Sequence, residues 1–362
     1  MPVKRIILLG ATGSIGTGAC DVVRAHPGEF KVVALAARSN RAAAESLANE
    51  FRARAYVGED AALRAVEEND ADMALVATVG LSGLAPTLAA IEKGIPVALA
   101  TKEVLVAAGA LVMARAQARG VPIIPVDSEH SAIFQCLGDE SSRQAISRLT
   151  LTASGGPFLD RPADLSSVTP AMAMSHPTWK MGRKVTIDSA TMMNKGFEIV
   201  EAHWLFGVPY EAIDVVVHPE SVVHSFVTFR DGATLAQLSP PDMRVPIQYA
   251  FSCPGRLPAE RAALDLPSLG ALTFRAPDVA RFPALNLVRK AAAEGGTRLA
   301  ALSAADEVAV ARFLAGEIAF TDIVRIVADA VAATPQLPCD SVESVLAADD
   351  AARAHAVSTR PR

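Results

Sequence analysis

Cysteine is scarce in this chain: Cys20, Cys136, Cys253 and Cys339 are spread over 362 residues without a C-x-x-C pair, which excludes a disulfide scaffold and suits a reducing cytoplasm. The four read as packing residues. No dense Lys/Arg run occurs and the formal charge is −5, so there is no basic stripe to hold a phosphate backbone, and nucleic acid is not expected as a partner. Long apolar runs are also missing. The stretch from Val104 to Ala114, bounded by Glu103 and Arg115, falls far short of the ~20 residues of a membrane span. The opening MPVKRIILLG is too short for a secretory h-region and runs straight into a glycine turn, so it reads as a strand. Aromatics are few, but 51% of residues are apolar and alanine is abundant, which points to a globular, helix-rich, cytoplasmic protein of two or three domains.

Up to residue 127, strand-length apolar runs (Arg5 to Leu9, Lys31 to Ala36, Met73 to Thr78, Pro96 to Ala100, Pro122 to Val126) alternate with helical segments such as Ser14 to Ala25 and Ala85 to Glu92. That rhythm predicts an α/β, Rossmann-like, doubly wound parallel sheet over residues 1–127, with ligands gathering beyond the carboxyl ends of its strands. Those ends read GATGSIG, ARSN, TVG, ATKE and VDSEH, and all five should share one edge. Residues 128–252 mix strand runs (Leu149 to Thr152, Asp214 to Val217, Val222 to Phe229, Thr234 to Leu238) with helices, as a central α+β domain would. Residues 253–280, rich in Pro and Gly, read as a linker, and 281–362 as a C-terminal helical bundle.

Gly10-Ala11-Thr12-Gly13-Ser14-Ile15-Gly16 lies between a strand and a helix, where its backbone can approach a diphosphate at a helix N-terminus. About 20 residues on, where an NAD-binding protein usually carries an acid, stand Arg38-Ser39-Asn40. A guanidinium beside two small polar groups suits a ribose 2′-phosphate, so the expected cofactor is NADPH.

Asp127 and Glu129 follow an apolar strand. If the strand geometry persists, both point to one face, Ser128 to the other, and His130 is turned away from them. Paired carboxylates call for a cation, and a hard divalent ion such as Mg²⁺ or Mn²⁺ prefers oxygen. From Ser189 the pattern is helical and sets Asn194, Glu198 and Glu201 on one face; spacing leaves open which glutamate adds a third oxygen ligand. Gly196 inside that helix suggests a close approach to its backbone. Upstream, Ser154-Gly155-Gly156-Pro157 has the form of an anion nest, and an exposed Trp179 and Met181 among cations suit a lid over substrate. His218 and His224 read as sheet packing, and His203 as a half-buried helix residue.

Together GATGSIG, ATKE, VDSEHSAIFQ, ASGGPF, SHPTWKMGRKVTIDSATMMNKGFEIVEAHWLFG, HPESVVHSFV and QLSPPDMRVPI resemble the 1-deoxy-D-xylulose 5-phosphate reductoisomerase family, essentially end to end. The resemblance implies a homodimeric enzyme of the non-mevalonate isoprenoid route. It would use NADPH and a divalent metal (magnesium, manganese or cobalt) to make 2-C-methyl-D-erythritol 4-phosphate, and would be a target of fosmidomycin. By matched position it implies a metal on Asp127, Glu129 and Glu198, which with Lys102 form the catalytic set. Substrate contacts would come from Lys102, Ser128, Glu129, Ser154, His176, Ser189, Asn194, Lys195 and Glu198. Cofactor contacts would come from Thr12, Gly13, Ser14, Ile15, Arg38, Ser39, Asn40, Thr101, Glu103 and Gly182, with Trp179 and Met181 in the lid. The chain departs from the family at Thr101 and Val104, where Asn and Ser are usual, and at Ser303 and Asp306, which replace two asparagines in a region read as structural. An NADP-linked dehydrogenase of a semialdehyde or hydroxy acid without isomerisation, which would not need three acids, and a silent NADP-binding sensor with a degenerate site are the rival classes.

Overall fold

The computed structural model describes residues 3–138, 140–162, 164–179, 181–259 and 263–361, and the chain divides into two compact units. The first comprises residues 1–104, 112–135 and 242–264. Its six strands, β1 (Lys4–Leu9), β2 (Phe30–Ala37), β3 (Arg54–Val57), β4 (Met73–Val76), β5 (Val97–Leu99) and β6 (Ile123–Pro125), form a parallel sheet in the order β3-β2-β1-β4-β5-β6. This is a dinucleotide-binding strand order, and the sheet is the doubly wound parallel one expected from the sequence. Ile6, Leu8, Leu35 and Leu75 are fully buried, as parallel strands covered on both faces must be, which is why these runs read as continuous apolar stretches. The edge strand β3 was invisible in the pattern because in RAYV only Tyr56 is buried. The chain returns to this unit with 242–264, a segment the sequence divides between the central domain and the linker. There Ile247, Ala250 and Phe251 of the helix Arg244–Ser252 complete the core around Phe30 and Val23.

The second unit holds residues 105–111, 136–241 and 265–362. Its strands β7 (Ile146–Ala153), β8 (Ile213–Val217), β9 (Val223–Phe229) and β10 (Thr234–Leu238) form a mixed sheet in the order β10-β9-β7-β8. Four helices, Ala284–Glu294, Arg298–Leu314, Phe320–Ala333 and Val342–Ser358, form the C-terminal helical region.

Two local expectations are corrected. The strand before VDSEH stops at Pro125, and Ser128–Cys136 is a helix, so alternation does not govern Asp127, Glu129 and His130. Asp127 starts the helix instead: its carbonyl accepts the Ser131 N–H at 2.8 Å and its Oδ1 accepts the Glu129 N–H at 3.4 Å. One turn on, the His130 ring faces Asp127, with Nδ1 at 3.7 Å from Oδ1, and is not turned away. Further along, the single helix read from Ser189 is two, Arg183–Thr191 and Met193–Phe206, broken at Met192 with φ +64°. At the break the Thr191 hydroxyl accepts the Met193 N–H at 3.3 Å, as a side chain that competes with helical backbone bonds does.

Gly196 does answer to a close approach, but by core packing: a Cβ there would lie 2.6 Å from Val288 Cγ2. Asp306, the departure from the family pattern, is fully buried, and its carboxylate lies 2.8 Å from the Lys184 ammonium, which also binds Asp188 at 2.7 Å. The substitution therefore has a partner in the same unit.

Candidate active site

In the first unit the functional residues stand at the carboxyl ends of the parallel strands. The glycine turn follows β1. Gly10 has φ +84°, and a Cβ on it would lie 2.2 Å from the Ala77 carbonyl oxygen; a Cβ on Gly16 would lie 2.3 Å from the Gly10 carbonyl oxygen. Only glycine fits at either position, and the turn is thereby drawn tight under the helix Ser14–Ala25. No side chain caps that helix at Gly13, so the amides of its first turn, Ser14 and Ile15, are available to an anion beside Thr12, while the Gly13 N–H closes the turn on the Gly10 carbonyl at 3.0 Å. This cradle fits a dinucleotide diphosphate.

At the end of β2, Arg38 extends into solvent and pairs with Glu59 at 2.9 Å. Asn40 caps the next helix, its Oδ1 accepting the Ala43 N–H at 3.2 Å. At the end of β5, Thr101 is buried and its hydroxyl donates to the Thr78 carbonyl at 2.7 Å, tying together the ends of β5 and β4. The hydroxyl proton is thus spent within the protein. A Thr at this position locks a strand end where the family's Asn carries an amide.

Two residues beyond β6, Asp127 meets Lys102, which stands three residues beyond the neighbouring strand β5; the ammonium and carboxylate are 2.5 Å apart and both side chains are at most 10% exposed. Burial pushes the Asp127 carboxyl up, but the Lys102 charge and the His130 ring outweigh it and hold it well below the usual carboxylate value. Ser128 Oγ donates to Glu129 Oε2 at 2.7 Å. The pairing of Lys102 and His130 with Asp127 was not read from the sequence. The near-equal distance of Lys102 and Asp127 past two adjacent strands is the signal that would have shown the first of these.

In the second unit, consecutive positive φ angles at Gly155 (+85°) and Gly156 (+63°) shape the expected nest. Ser154 Oγ accepts the Gly156 N–H at 3.2 Å and lies 3.0 Å from His176 Nε2. His176 Nδ1 accepts the N–H groups of Thr178 (3.2 Å) and Trp179 (2.9 Å), which fixes the tautomer: Nε2 carries the proton and donates to Ser154 Oγ. Burial lowers the His176 pKa, so the ring is neutral at pH 7. With two N–H groups on Ser154 Oγ, its own proton is left to donate elsewhere. Gly156 is packed against Ser189, whose carbonyl oxygen would be 3.0 Å from a Cβ at that glycine. Ser154, His176 and the Ser189 backbone are therefore brought together around the nest, a neutral setting suited to a phosphate.

On the helix Met193–Phe206, Glu198 is buried and holds Asn194 Nδ2 on Oε1 at 2.5 Å and the Lys195 ammonium on Oε2. The Asn194 carbonyl oxygen is buried and has no partner among the described residues, an acceptor left for a ligand. Glu201, the alternative by spacing, is fully buried in the same helix. Trp179 and Met181 are half-buried and not exposed as the sequence suggests; the Trp179 ring lies 6.1 Å from His224. Gly182 is the N-cap of the helix Arg183–Thr191. His218 is consumed by packing, with its Nε2 accepting the N–H groups of Val222 and Val223 at 3.2 Å. His203 stacks on Tyr210 at 4.2 Å.

In both units, then, a buried carboxylate is neutralised by a buried lysine. Asp127, Glu129 and Glu198 are all hard oxygen donors, the set a Mg²⁺ or Mn²⁺ ion prefers. Among the described residues no helix is long and apolar enough to cross a membrane.

Comparison with known proteins gives one consistent result. Profiles of the 1-deoxy-D-xylulose 5-phosphate reductoisomerase family match residues 6–57, 49–109 and 123–206, and a DXP reductoisomerase C-terminal domain profile matches 238–355. The chain is 47% identical over 380 residues to the 1-deoxy-D-xylulose 5-phosphate reductoisomerase of Ralstonia pickettii, covering 97% of this chain and 96% of that one. It is 50% identical over 377 residues to the enzyme of Symbiobacterium thermophilum, covering 97% of each. A DOX-P reductoisomerase crystallised with NADPH, fosmidomycin and magnesium superposes with a TM-score of 0.94 at 38% identity, covering 98% of both chains. The Zymomonas mobilis enzyme in complex with NADPH gives 0.88 at 40% identity with the same coverage.

Proposed function

Because the chain belongs to the 1-deoxy-D-xylulose 5-phosphate reductoisomerase family, we propose that Asp127, Glu129 and Glu198 hold its divalent metal and that the residues around them perform the family's reaction. The protein is an NADPH- and metal-dependent reductoisomerase. It isomerises and reduces 1-deoxy-D-xylulose 5-phosphate, with 2-C-methyl-D-erythritol 4-phosphate of the non-mevalonate isoprenoid route as the proposed product. The observation that carries the site assignment is the pairing of a buried acid with a buried lysine in each unit, Asp127 with Lys102 and Glu198 with Lys195.

Bound at the three acids, the cation supplies Lewis-acid polarisation of the substrate oxygens, and NADPH supplies the hydride. The protein's own groups do the rest. Ser154, neutral His176, Ser189 and Asn194 hold the substrate phosphate, His176 by turning its Nε2 proton from Ser154 Oγ to the phosphate and Asn194 through its second amide proton. Lys102 and Lys195, whose charges otherwise balance the acids, turn toward substrate oxygens and stabilise negative charge as hydroxyl protons leave during rearrangement. Ser128 orients Glu129 through its hydroxyl. The glycine turn takes the NADPH diphosphate, Arg38, Ser39 and Asn40 take its 2′-phosphate, and Thr101, Glu103 and Gly182 add further cofactor contacts. Trp179 and Met181 cover the substrate and exclude water, and phosphate binding drives that closure.

In this reading the first unit, with its returning segment 242–264, binds cofactor, and the second binds substrate, forms a homodimer and carries 281–362 as its helical region. The protein works in the cytoplasm, with magnesium, manganese or cobalt as metal and fosmidomycin as inhibitor.

The phosphate assignment is tested by His176→Ala. A hydrogen bond to a charged group contributes about 1.5–3 kcal/mol, so KM for the sugar phosphate should rise roughly 10- to 100-fold while KM for NADPH stays put. An unchanged sugar-phosphate KM would remove His176 from the substrate site.

A further inference from the structure

The carboxyl ends of β2 and β3 carry a charge arrangement that the reaction itself does not require. These strands pair in parallel with Ala37 opposite Val57, and the Gly58 N–H donates to the Ala37 carbonyl at 3.2 Å, so the residues that follow them leave the sheet side by side. Arg38 is one residue beyond β2 and Glu59 two residues beyond β3, and the guanidinium Nε lies 2.9 Å from the carboxylate. Both side chains are largely in water, 75% and 80% exposed, so the contact is not a by-product of burial. The neighbouring cation Arg41 faces Glu45 of its own helix at 3.5 Å, which leaves Glu59 as the acid on Arg38.

We propose that Glu59 is a specificity-determining residue that competes with the cofactor's 2′-phosphate for Arg38 and so weakens the binding of NADPH but not of NADH. The proposal rests on the reading above that Arg38, Ser39 and Asn40 receive that phosphate. A dianionic phosphate docking on Arg38 must displace the Glu59 carboxylate or tolerate it at close range, and either lowers affinity. NADH brings a neutral hydroxyl and leaves the pair intact. A nicotinamide-binding protein of this fold that selects NADH carries its acid at the end of the second strand; here the acid stands on the adjacent strand end and acts through the arginine.

Because the pair is exposed, its effect is modest and sensitive to salt. The test is Glu59→Gln, with NADPH and NADH affinities measured on the whole protein from the fluorescence of the reduced nicotinamide. At low salt NADPH should bind roughly three- to tenfold more tightly than to the parent, NADH should change by less than about twofold, and at ~0.5 M salt most of the gain should vanish. Weaker NADPH binding, showing that Glu59 presents Arg38 instead of competing for it, would overturn the proposal, as would equal shifts for both cofactors. Arg38→Ala separates the two levels of inference. If that variant brings the two affinities together while Glu59→Gln shifts neither, the role of Glu59 alone is wrong. If Arg38→Ala leaves their ratio unchanged, the phosphate is not read at Arg38 and both statements fall.

Discussion

Glu129→Gln is expected to reduce kcat/KM by about three orders of magnitude or more at ordinary metal concentration, with NADPH affinity unchanged. The substitution keeps the shape of the side chain and the contact to the Ser128 hydroxyl, but replaces one anionic oxygen with an amide nitrogen. A hard divalent cation gains little from the amide and loses a full charge of attraction. The chemical step then loses several kcal/mol of charge stabilisation, and each 1.4 kcal/mol is about tenfold in rate. NADPH binding should survive because the glycine turn that takes the diphosphate draws on β1, β4 and the helix Ser14–Ala25, none of which includes Glu129. The pairing of result with control is what matters. A variant that loses both activity and NADPH binding has lost its fold, whereas one that keeps normal turnover shows that Glu129 is not a ligand.

Gly10→Ala should have the next largest effect, and by a different route. The backbone at Gly10 has φ +84°, which an L side chain adopts only with strain, and the added methyl carbon would sit 2.2 Å from the Ala77 carbonyl oxygen, inside any real contact distance. That carbonyl lies at the end of β4, the central neighbour of β1, so it cannot retreat without disturbing the sheet. Strain and overpacking together predict a stability loss of about 2–5 kcal/mol. The turn must open to relieve the clash, and NADPH affinity should fall by roughly 100-fold or more, since the diphosphate depends on that turn for its backbone donors. Thermal unfolding and NADPH titration check the two effects separately. Near-parent values for both would mean that the turn is not the tight cradle described.

The parallel sheet was legible because its strands are buried on both faces, and the strand ends therefore announced themselves as abrupt changes to glycine, acid or lysine. What failed was local. β3 was missed because an edge strand with one buried residue has no apolar signature. The geometry after β6 differs from strand alternation because the strand stops at Pro125 and Asp127 starts a helix, and the sequence alone does not say where extended backbone stops. The break at Met192 was hidden because helical periodicity continues across it; only the Thr191 hydroxyl, taking the Met193 amide, marks the site. The lysine–carboxylate pairs joined residues already chosen as candidates, but Lys102 and Asp127 follow different strands, and their similar distance past β5 and β6 becomes a contact only because those strands are neighbours in the sheet.

The most direct measurement follows oxidation of NADPH by the whole protein when 1-deoxy-D-xylulose 5-phosphate is added. With Mg²⁺ or Mn²⁺ present the nicotinamide absorbance should fall, chelation with EDTA should stop the reaction, and excess metal should restore it, while NADPH without the sugar phosphate stays reduced. Oxidation that continues at the same rate in EDTA, or none with all components present, would contradict a reaction built on a cation at Asp127, Glu129 and Glu198.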